Sequence, residues 1–321
     1  MSKVIYGSEV ELAVFEPVKS SLWLPRNPDH YMRARPETLA RLLYIAADLA
    51  GTMVSPLERV HLMNGMVVYI DGKSLEFASP PCASLWDLAL HEQDYESLAA
   101  LLGARYREEY GEQLEIYKPG AGDRDDCGYH ENYGLPGEFY FRLFYGNFHP
   151  RPIWDRVLVP FLVSRIILSG GGGFRDNRFV ISPRAAATTH VYHRSTDPQR
   201  PIVHLKRPRL DSGTLRVQLT CGDMLWMTWP TVVRFSSTGV MLMAAAAGLL
   251  DHLDFTLDEP VSTIRDVSQD FSAPVRLTSG QQISAIDLQD TFAHAMMDSI
   301  PQLQDIAPDM VAEAMDAWSS S

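Results

Sequence analysis

Four carboxylates, Glu9, Glu11, Asp71 and Glu76, lie on or beside short segments whose other residues are mostly apolar. Glu9 and Glu11 fall on one face of an alternating stretch, residues 4–15, with Ser8, Val10, Leu12 and Val14 on the other. Tyr69 and Asp71 share a side of a second short strand, residues 66–71, and Glu76 sits on a third, residues 75–79, just past a Gly-Lys-Ser turn. Paired, these strands would bring the acids into one cleft. Hard divalent cations such as Mg2+ prefer carboxylate oxygen, retain water and commonly bind through a few acids plus substrate phosphates. The alternation alone fits equally well a plain antiparallel sheet with its acids on the solvated side.

Other residue types add to this picture or narrow it. Gly128-Tyr129-His130-Glu131-Asn132-Tyr133 packs an imidazole, a carboxylate and an amide into consecutive positions. As a strand it would send His130 and Asn132 one way and Glu131 and Tyr133 the other, one pair entering the cleft and the other bracing the backbone; a polar strand edge is the plainer reading. Arg200, Lys206, Arg207, Arg209 and Arg216 are the one basic concentration, suited to a phosphate or an acidic peptide, or else a solvated loop. His190 and His193 are flanked by Thr188, Thr189, Val191 and Tyr192, which favour a strand or loop over a helical zinc pair. Residues 170–173 are four glycines without the Lys-Ser/Thr pair of a P-loop, and read as a flexible connection. No Gly-x-Ser-x-Gly motif occurs and no cysteine has a familiar catalytic context, which weighs against covalent hydrolysis on Ser or Cys.

The elements that must position these groups are mixed. Residues 36–51 and 84–110 have helical spacing, residues 114–118 and 214–220 read as strands, and residues 119–128 as a turn-rich loop. Helices are expected over residues 160–169 and 238–250, then a short helix after Glu259, a hairpin over residues 275–282 and a last helix from Ser284. Strands and helices do not alternate regularly, so the expected class is α+β with an antiparallel sheet packed against helices, in one domain over residues 1–321.

Composition sets the outer bounds. Of 321 residues 46% are apolar and 21% charged, enough to build a large core, and 28 basic against 40 acidic residues leave a net charge of -12, which disfavours a nucleic-acid partner. The most apolar stretches, residues 157–168 and 240–250, are shorter than the roughly 20 residues a bilayer demands, so no membrane is expected. Cys82, Cys127 and Cys221 lie far apart with no paired spacing, and no secretory signal opens the chain, which points to a reducing cytoplasm.

Several segments, taken in order, resemble the Pup ligase and deamidase-of-Pup family. They are Gly7-Ser8-Glu9-Val10-Glu11, Asn64-Gly65 leading to Tyr69-Ile70-Asp71, Leu75-Glu76-Phe77-Ala78-Ser79-Pro80, Leu85-Trp86-Asp87 and His130-Glu131-Asn132-Tyr133, followed by Pro160-Phe161-Leu162-Val163-Ser164-Arg165, Ile181-Ser182-Pro183-Arg184, Arg200-Pro201-Ile202-Val203 and Gly222-Asp223. The resemblance implies a glutamine synthetase-like fold that binds ATP and Mg2+ at the sheet and acts on a side-chain carboxyl or amide of the small disordered protein Pup, or on a pupylated protein. It makes Glu9 and Glu76 magnesium ligands with Tyr69 beside them, Asp71 the catalytic carboxylate, and Ser79 a neighbour of the nucleotide. Joined to the acid and basic clusters, the candidate set is catalytic Asp71; metal-ligating Glu9, Glu11 and Glu76; and nucleotide-contacting Tyr69, Ser79, Arg200 and Arg216.

The five-residue step from Asp71 to Glu76, the Ser-Glu-Val-Glu start and Leu85-Trp86-Asp87 are more similar to the deamidase branch. The leading expectation is therefore an ATP- and Mg2+-dependent hydrolase of a Gln amide or isopeptide bond. The alternatives are a carboxylate-amine ligase acting on a Glu side chain, and a catalytically inactive nucleotide- or peptide-binding regulator. The chain departs from the family pattern at Val67, Pro81, His204 to Arg209 and Gln218, where an arginine, an acid, an acid-and-histidine segment and a histidine are expected. Against the resemblance, the family's small C-terminal domain is expected to be missing after Trp318, with a split protein completed by a separate chain, a shortened chain and a family offshoot as open readings.

Overall fold

In the computed structural model, which describes residues 3–17, 31–54, 59–118, 127–146, 149–175, 177–206, 213–225 and 227–319, the sheet begins with β1 (Ile5–Pro17), β2 (Tyr31–Arg33), β3 (Gly51–Val54), β4 (Arg59–Leu62), β5 (Val67–Asp71), β6 (Ser74–Ala78), β7 (Glu115–Tyr117) and β8 (Tyr129–Pro136). Three short hairpins stand apart: β9 (Phe144–Tyr145) with β10 (His149–Pro150), β11 (Gly173–Arg175) with β12 (Arg178–Val180), and β16 (Pro274–Arg276) with β17 (Gln282–Ser284). The sheet is completed by β13 (His190–His193), β14 (Pro201–His204) and β15 (Thr214–Leu219), giving the spatial order β13-β14-β15-β8-β1-β6-β5-β4-β3, with β2 and β7 pairing along the far half of β1. Every pair is antiparallel except β13 with β14. The expected α+β class with a mostly antiparallel sheet is what the chain forms.

Register decides which side chains meet. Residues directly opposite in an antiparallel pair share a face, and β1 sits between β6 and β8. Glu9 is opposite both Ala78 and His130, and Glu11 is opposite Glu76, which is itself opposite Tyr69 across β5. Gln218 is opposite Asn132 on one side and His204 on the other. The polar positions of six strands therefore line one face.

The other face is buried under helices. The principal ones are α1 (Pro36–Ala50), α2 (Leu85–Tyr110), α7 (Thr228–Ala246), α9 (Ala285–Ile306) and α10 (Pro308–Ser319); α3 (Tyr140–Leu143), α4 (Val159–Ser164), α5 (Ile166–Ser169), α6 (Pro183–Ala186) and α8 (Pro260–Gln269) are shorter. Ser84 caps α2 by accepting the Trp86 N–H, and Gly111, at a positive φ of 72°, closes it by donating to the Arg107 carbonyl. Tyr6, Val10, Leu12 and Val14 of β1 pack into this core, where the Tyr6 ring meets Tyr133 of β8 and Phe235 of α7 edge-on at 6.2 and 6.4 Å and the Ser8 hydroxyl meets Tyr95 of α2 at 3.0 Å. Among the described residues, no helix is long and apolar enough to cross a membrane, and no disulfide joins the three buried cysteines.

Three expectations need correction. The helix expected over residues 238–250 is α7 and starts ten residues earlier, because Pro230 is tolerated in the first turn and Arg234, which looks like a solvent position, is buried in an ion network. The helix expected over residues 160–169 is a longer run in which a π-helical turn, Trp154–Leu158, immediately precedes α4; that turn closes with Val159 N–H donating to Trp154 O, and widens the backbone just before Pro160. The four glycines are not a flexible connection at their start: a Cβ on Gly170 would lie 2.3 Å from the Ile181 carbonyl oxygen, so the absence of a side chain is what allows the two segments to touch. The expected loop over residues 119–128 falls outside the described residues except for Cys127 and Gly128, and Arg207 and Arg209 also lie outside them.

Candidate active site

The acid face converges as the alternation predicts. Ligand atoms of Glu9, Glu76 and His130 lie within 4.8 Å of one another, and so do those of Glu11, Asp71 and Glu76, so Glu76 belongs to both groups. Asp71 is exposed at the end of β5, whereas Glu76 and His130 are buried. Each carboxylate has its own surroundings. Glu9 accepts from Arg216 at 2.6 Å on Oε1, while its Oε2 accepts from Gln218 at 2.8 Å and lies 3.3 Å from His130 Nδ1. Glu11 accepts the Gly128 N–H at 2.8 Å and lies 3.8 Å from His130 Nε2. Glu76 accepts the Tyr69 hydroxyl at 2.5 Å, and the Arg59 guanidinium covers the Tyr69 ring at 4.6 Å.

These surroundings push two neighbouring carboxyls in opposite directions. Burial alone would raise Glu9, but the His130 hydrogen bond and the Arg216 charge outweigh it and hold the group at about 2. Burial, followed by repulsion from ionised Glu9, drives Glu76 up to about 9 despite the Tyr69 hydrogen bond. Without a cation, Glu76 is thus protonated at neutral pH. Linkage gives the sign. The raised Glu76 value contributes stability that is complete below about 4.5, the unfolded value, and is lost as pH climbs toward about 9; the depressed Glu9 value contributes stability present above about 4.5 and lost as pH falls toward about 2. Urea unfolding of metal-free protein is expected to show stability falling between pH 5 and 9 by at most about 1.4 kcal/mol per pH unit from this group, with the decline reduced in Glu76→Gln; an identical decline in the variant would show that Glu76 is not its source.

The donor set fits a hard divalent cation. Glu76 Oε2 and His130 Nε2 are both buried with no hydrogen-bond partner, and orphaned polar atoms of this kind call for an ion or water. With Nδ1–H donating to Glu9, the Nε2 lone pair of His130 is the one left for a ligand. Space is kept open beside it, since a Cβ on Gly128 would come within 2.9 Å of His130 Nε2 and 3.2 Å of Glu11 Oε1.

The basic residues divide. Arg216 joins the acids, bonded to Glu9 and to Asn132 Oδ1 at 2.8 Å. Lys206 lies within electrostatic reach of Glu9, Arg216, Glu76 and Asp71, its ammonium pKa lowered by burial against the pull of those acids. Arg200 stands just before β14, where its N–H donates to Thr189 Oγ1 at 2.9 Å and its charge, after burial, lowers the pKa of buried Arg184. Ser79 is tied to the backbone of the sheet, accepting from Ser8 N–H and donating to the Pro80 carbonyl, both at 3.0 Å. His190 and His193 lie on edge strand β13, His193 bonded locally to Ser195.

Behind the strand that carries His130 and Asn132, the alternate residues do the bracing. Glu131, fully buried, receives both terminal nitrogens of Arg165 at 2.7 and 2.9 Å and the Tyr133 hydroxyl at 2.6 Å. Arg234 donates to Tyr129 at 2.6 Å, and Glu92 closes the network through Tyr129 and Thr231. Sequence reasoning left His130, Asn132, Gln218, His204 and Lys206 out of the candidate set. The period-two pattern of residues 128–133 was the available signal for the first two, and the basic concentration for the last.

The family model "Pup-ligase protein" matches residues 15–321. "Pup--protein ligase 2" of Rhodococcus erythropolis is 31% identical over 308 residues, covering 90% of this chain and 64% of that protein, and "Pup--protein ligase" of Nocardioides sp. is 28% identical, covering 99% and 68%. The chain therefore spans somewhat less than two thirds of the Rhodococcus relative. In fold it is similar to the Pup ligase PafA in its complex with Pup (TM-score 0.74, 20% identity, 99% of this chain and 63% of that one) and in complex with ADP (TM-score 0.64, 19% identity, 92% and 65%). These findings name the ligase and correct the leaning toward the deamidase branch. The features behind that leaning are set by local structure: the Asp71-to-Glu76 step is a hairpin closed by the Asp71–Ser74 pair, and Trp86-Asp87 is the first turn of a capped helix. With residues 15–321 matched by the family model, the chain belongs to the Pup-ligase protein family.

Proposed function

We propose that the chain is an ATP- and Mg2+-dependent carboxylate-amine ligase that joins a Glu side chain of a Pup-like protein to a lysine amine of a target protein in a reducing cytoplasm. The observation that carries this reading is the placement of one exposed carboxylate, Asp71, at the edge of a buried acid cluster that has two unpartnered ligand atoms. Glu9, Glu76 and His130 would hold Mg2+, Glu9 being oriented by its three donors, with Glu11 and Asp71 gathered about the same Glu76. Bound there, the cation would offset charge gathering on transferred phosphoryl oxygens. Arg216 and Lys206 flank the same face and supply positive charge for the phosphates of ATP. The substrate γ-carboxylate takes the phosphoryl group and ADP leaves; the lysine amine then attacks the acyl carbon, phosphate departs, and Asp71 accepts the amine proton.

Product analysis tests the reaction. Incubated with ATP, Mg2+, a Pup-like peptide ending in Glu and a lysine-bearing acceptor, the protein is expected to yield ADP and a product carrying a new isopeptide bond. Release of ammonia from the matching Gln peptide, with no conjugate from the Glu peptide, would contradict ligation.

A further inference from the structure

At Gln218 the chain lacks the imidazole expected from the resemblance, yet one stands on the neighbouring strand. His204, the cross-strand partner of Gln218, places Nδ1 at 2.6 Å from Gln218 Oε1, and Gln218 Nε2 donates to Glu9 Oε2 at 2.8 Å. The order of donors is forced. Gln218 Nε2 donates to a carboxylate oxygen, so the amide presents its oxygen to His204, which then carries its proton on Nδ1. The other ring nitrogen lies 3.2 Å from the Arg194 carbonyl, a contact that becomes a hydrogen bond only when the ring carries a second proton. Gln218 is 1% exposed, so water cannot replace either bond.

We infer that Gln218, oriented by His204, is a positioning residue: the pair fixes Glu9 Oε2, which His130 also approaches, while Arg216 holds Oε1, setting the acid cluster for its cation. This rests on the proposed function of that cluster. A polar pair with no such role would tolerate loss of His204 without consequence for Glu9, because the imidazole touches the acid only through the amide.

The test is Mn2+ binding, followed by water-proton relaxation, with the thermal midpoint of each variant recorded to confirm folding. His204→Ala is expected to weaken Mn2+ binding about tenfold. In a Gln218→His background, where the imidazole can reach Glu9 directly, adding His204→Ala is expected to weaken binding less than twofold relative to Gln218→His alone. In turnover, His204→Ala should raise the Mg2+ concentration needed for half-maximal rate more than it lowers kcat. Equal losses in both backgrounds, or folded His204→Ala binding Mn2+ as wild type does, would overturn the inference while leaving the cluster's function standing. Wild-type protein that bound no Mn2+ would overturn both together.

Discussion

Arg165→Ala is expected to be among the most destabilising single substitutions in the chain, costing about 3–5 kcal/mol. Arg165 and Glu131 are 3% and 0% exposed in their side chains and meet through two parallel hydrogen bonds, so truncating the arginine leaves an ionised carboxylate in the core with Tyr133 as its remaining close donor and Arg234 at 3.9 Å. The attraction to Arg165, together with Arg234, is what holds the Glu131 pKa below its ordinary value against burial. Without it, that burial cost falls on the folded state. Arg165→Lys should recover little, because an ammonium cannot reproduce the two-pronged contact or reach Thr238 Oγ1 in the same plane. The double variant Arg165→Leu/Glu131→Leu should be more stable than Arg165→Ala, since it removes the charge as well as its partner. Urea unfolding midpoints decide this. A single variant within about 1 kcal/mol of wild type would show that the network is not a buried brace.

Asp71→Asn is expected to lower the rate of isopeptide formation by about 10²–10⁴, the usual contribution of a positioned general base. The substitution preserves size, and the residue is exposed at a strand end, so the thermal midpoint and nucleotide binding should change little. An amide cannot accept the proton of the attacking amine. The loss should therefore appear in kcat and should shrink as pH rises and the lysine acceptor deprotonates in solution. Turnover within threefold of wild type in a folded variant would remove Asp71 from the chemistry.

Much of this was legible in the sequence, for identifiable reasons. Period-two alternation depends only on the pleat, so residues 4–15 showed which side chains share the acid side, and residues 128–133 showed which side chains go together without saying which pair enters the cleft. The start of the helix over residues 84–110 was readable because the Ser84 cap is local. What remained hidden depended on tertiary pairing. The start of α7 was obscured because Arg234 reads as a solvent residue, and it is buried only because Tyr129 and the acids Glu92 and Glu131 come to it from α2 and β8. Gln218 and His204 were marked as departures from a pattern. Their joint role emerges from the order β14-β15-β8-β1, which carries two strands from late in the chain to the edge of the first. Arg200 and Arg216 looked equivalent in a list of basic residues; the pairing of β15 with β8 brings Arg216 to Glu9, whereas Arg200 stands just before β14 with its backbone N–H on Thr189.

The central claim is that Glu76 is a cation ligand kept protonated until the cation arrives. Calorimetric titration of Mg2+ in the presence of ADP, repeated at pH 7.5 in buffers of different ionisation enthalpy, measures both binding and proton release. The account predicts saturable binding with close to one proton released per Mg2+, and loss of that release in Glu76→Gln. Binding without proton release, unchanged by Glu76→Gln, would contradict it.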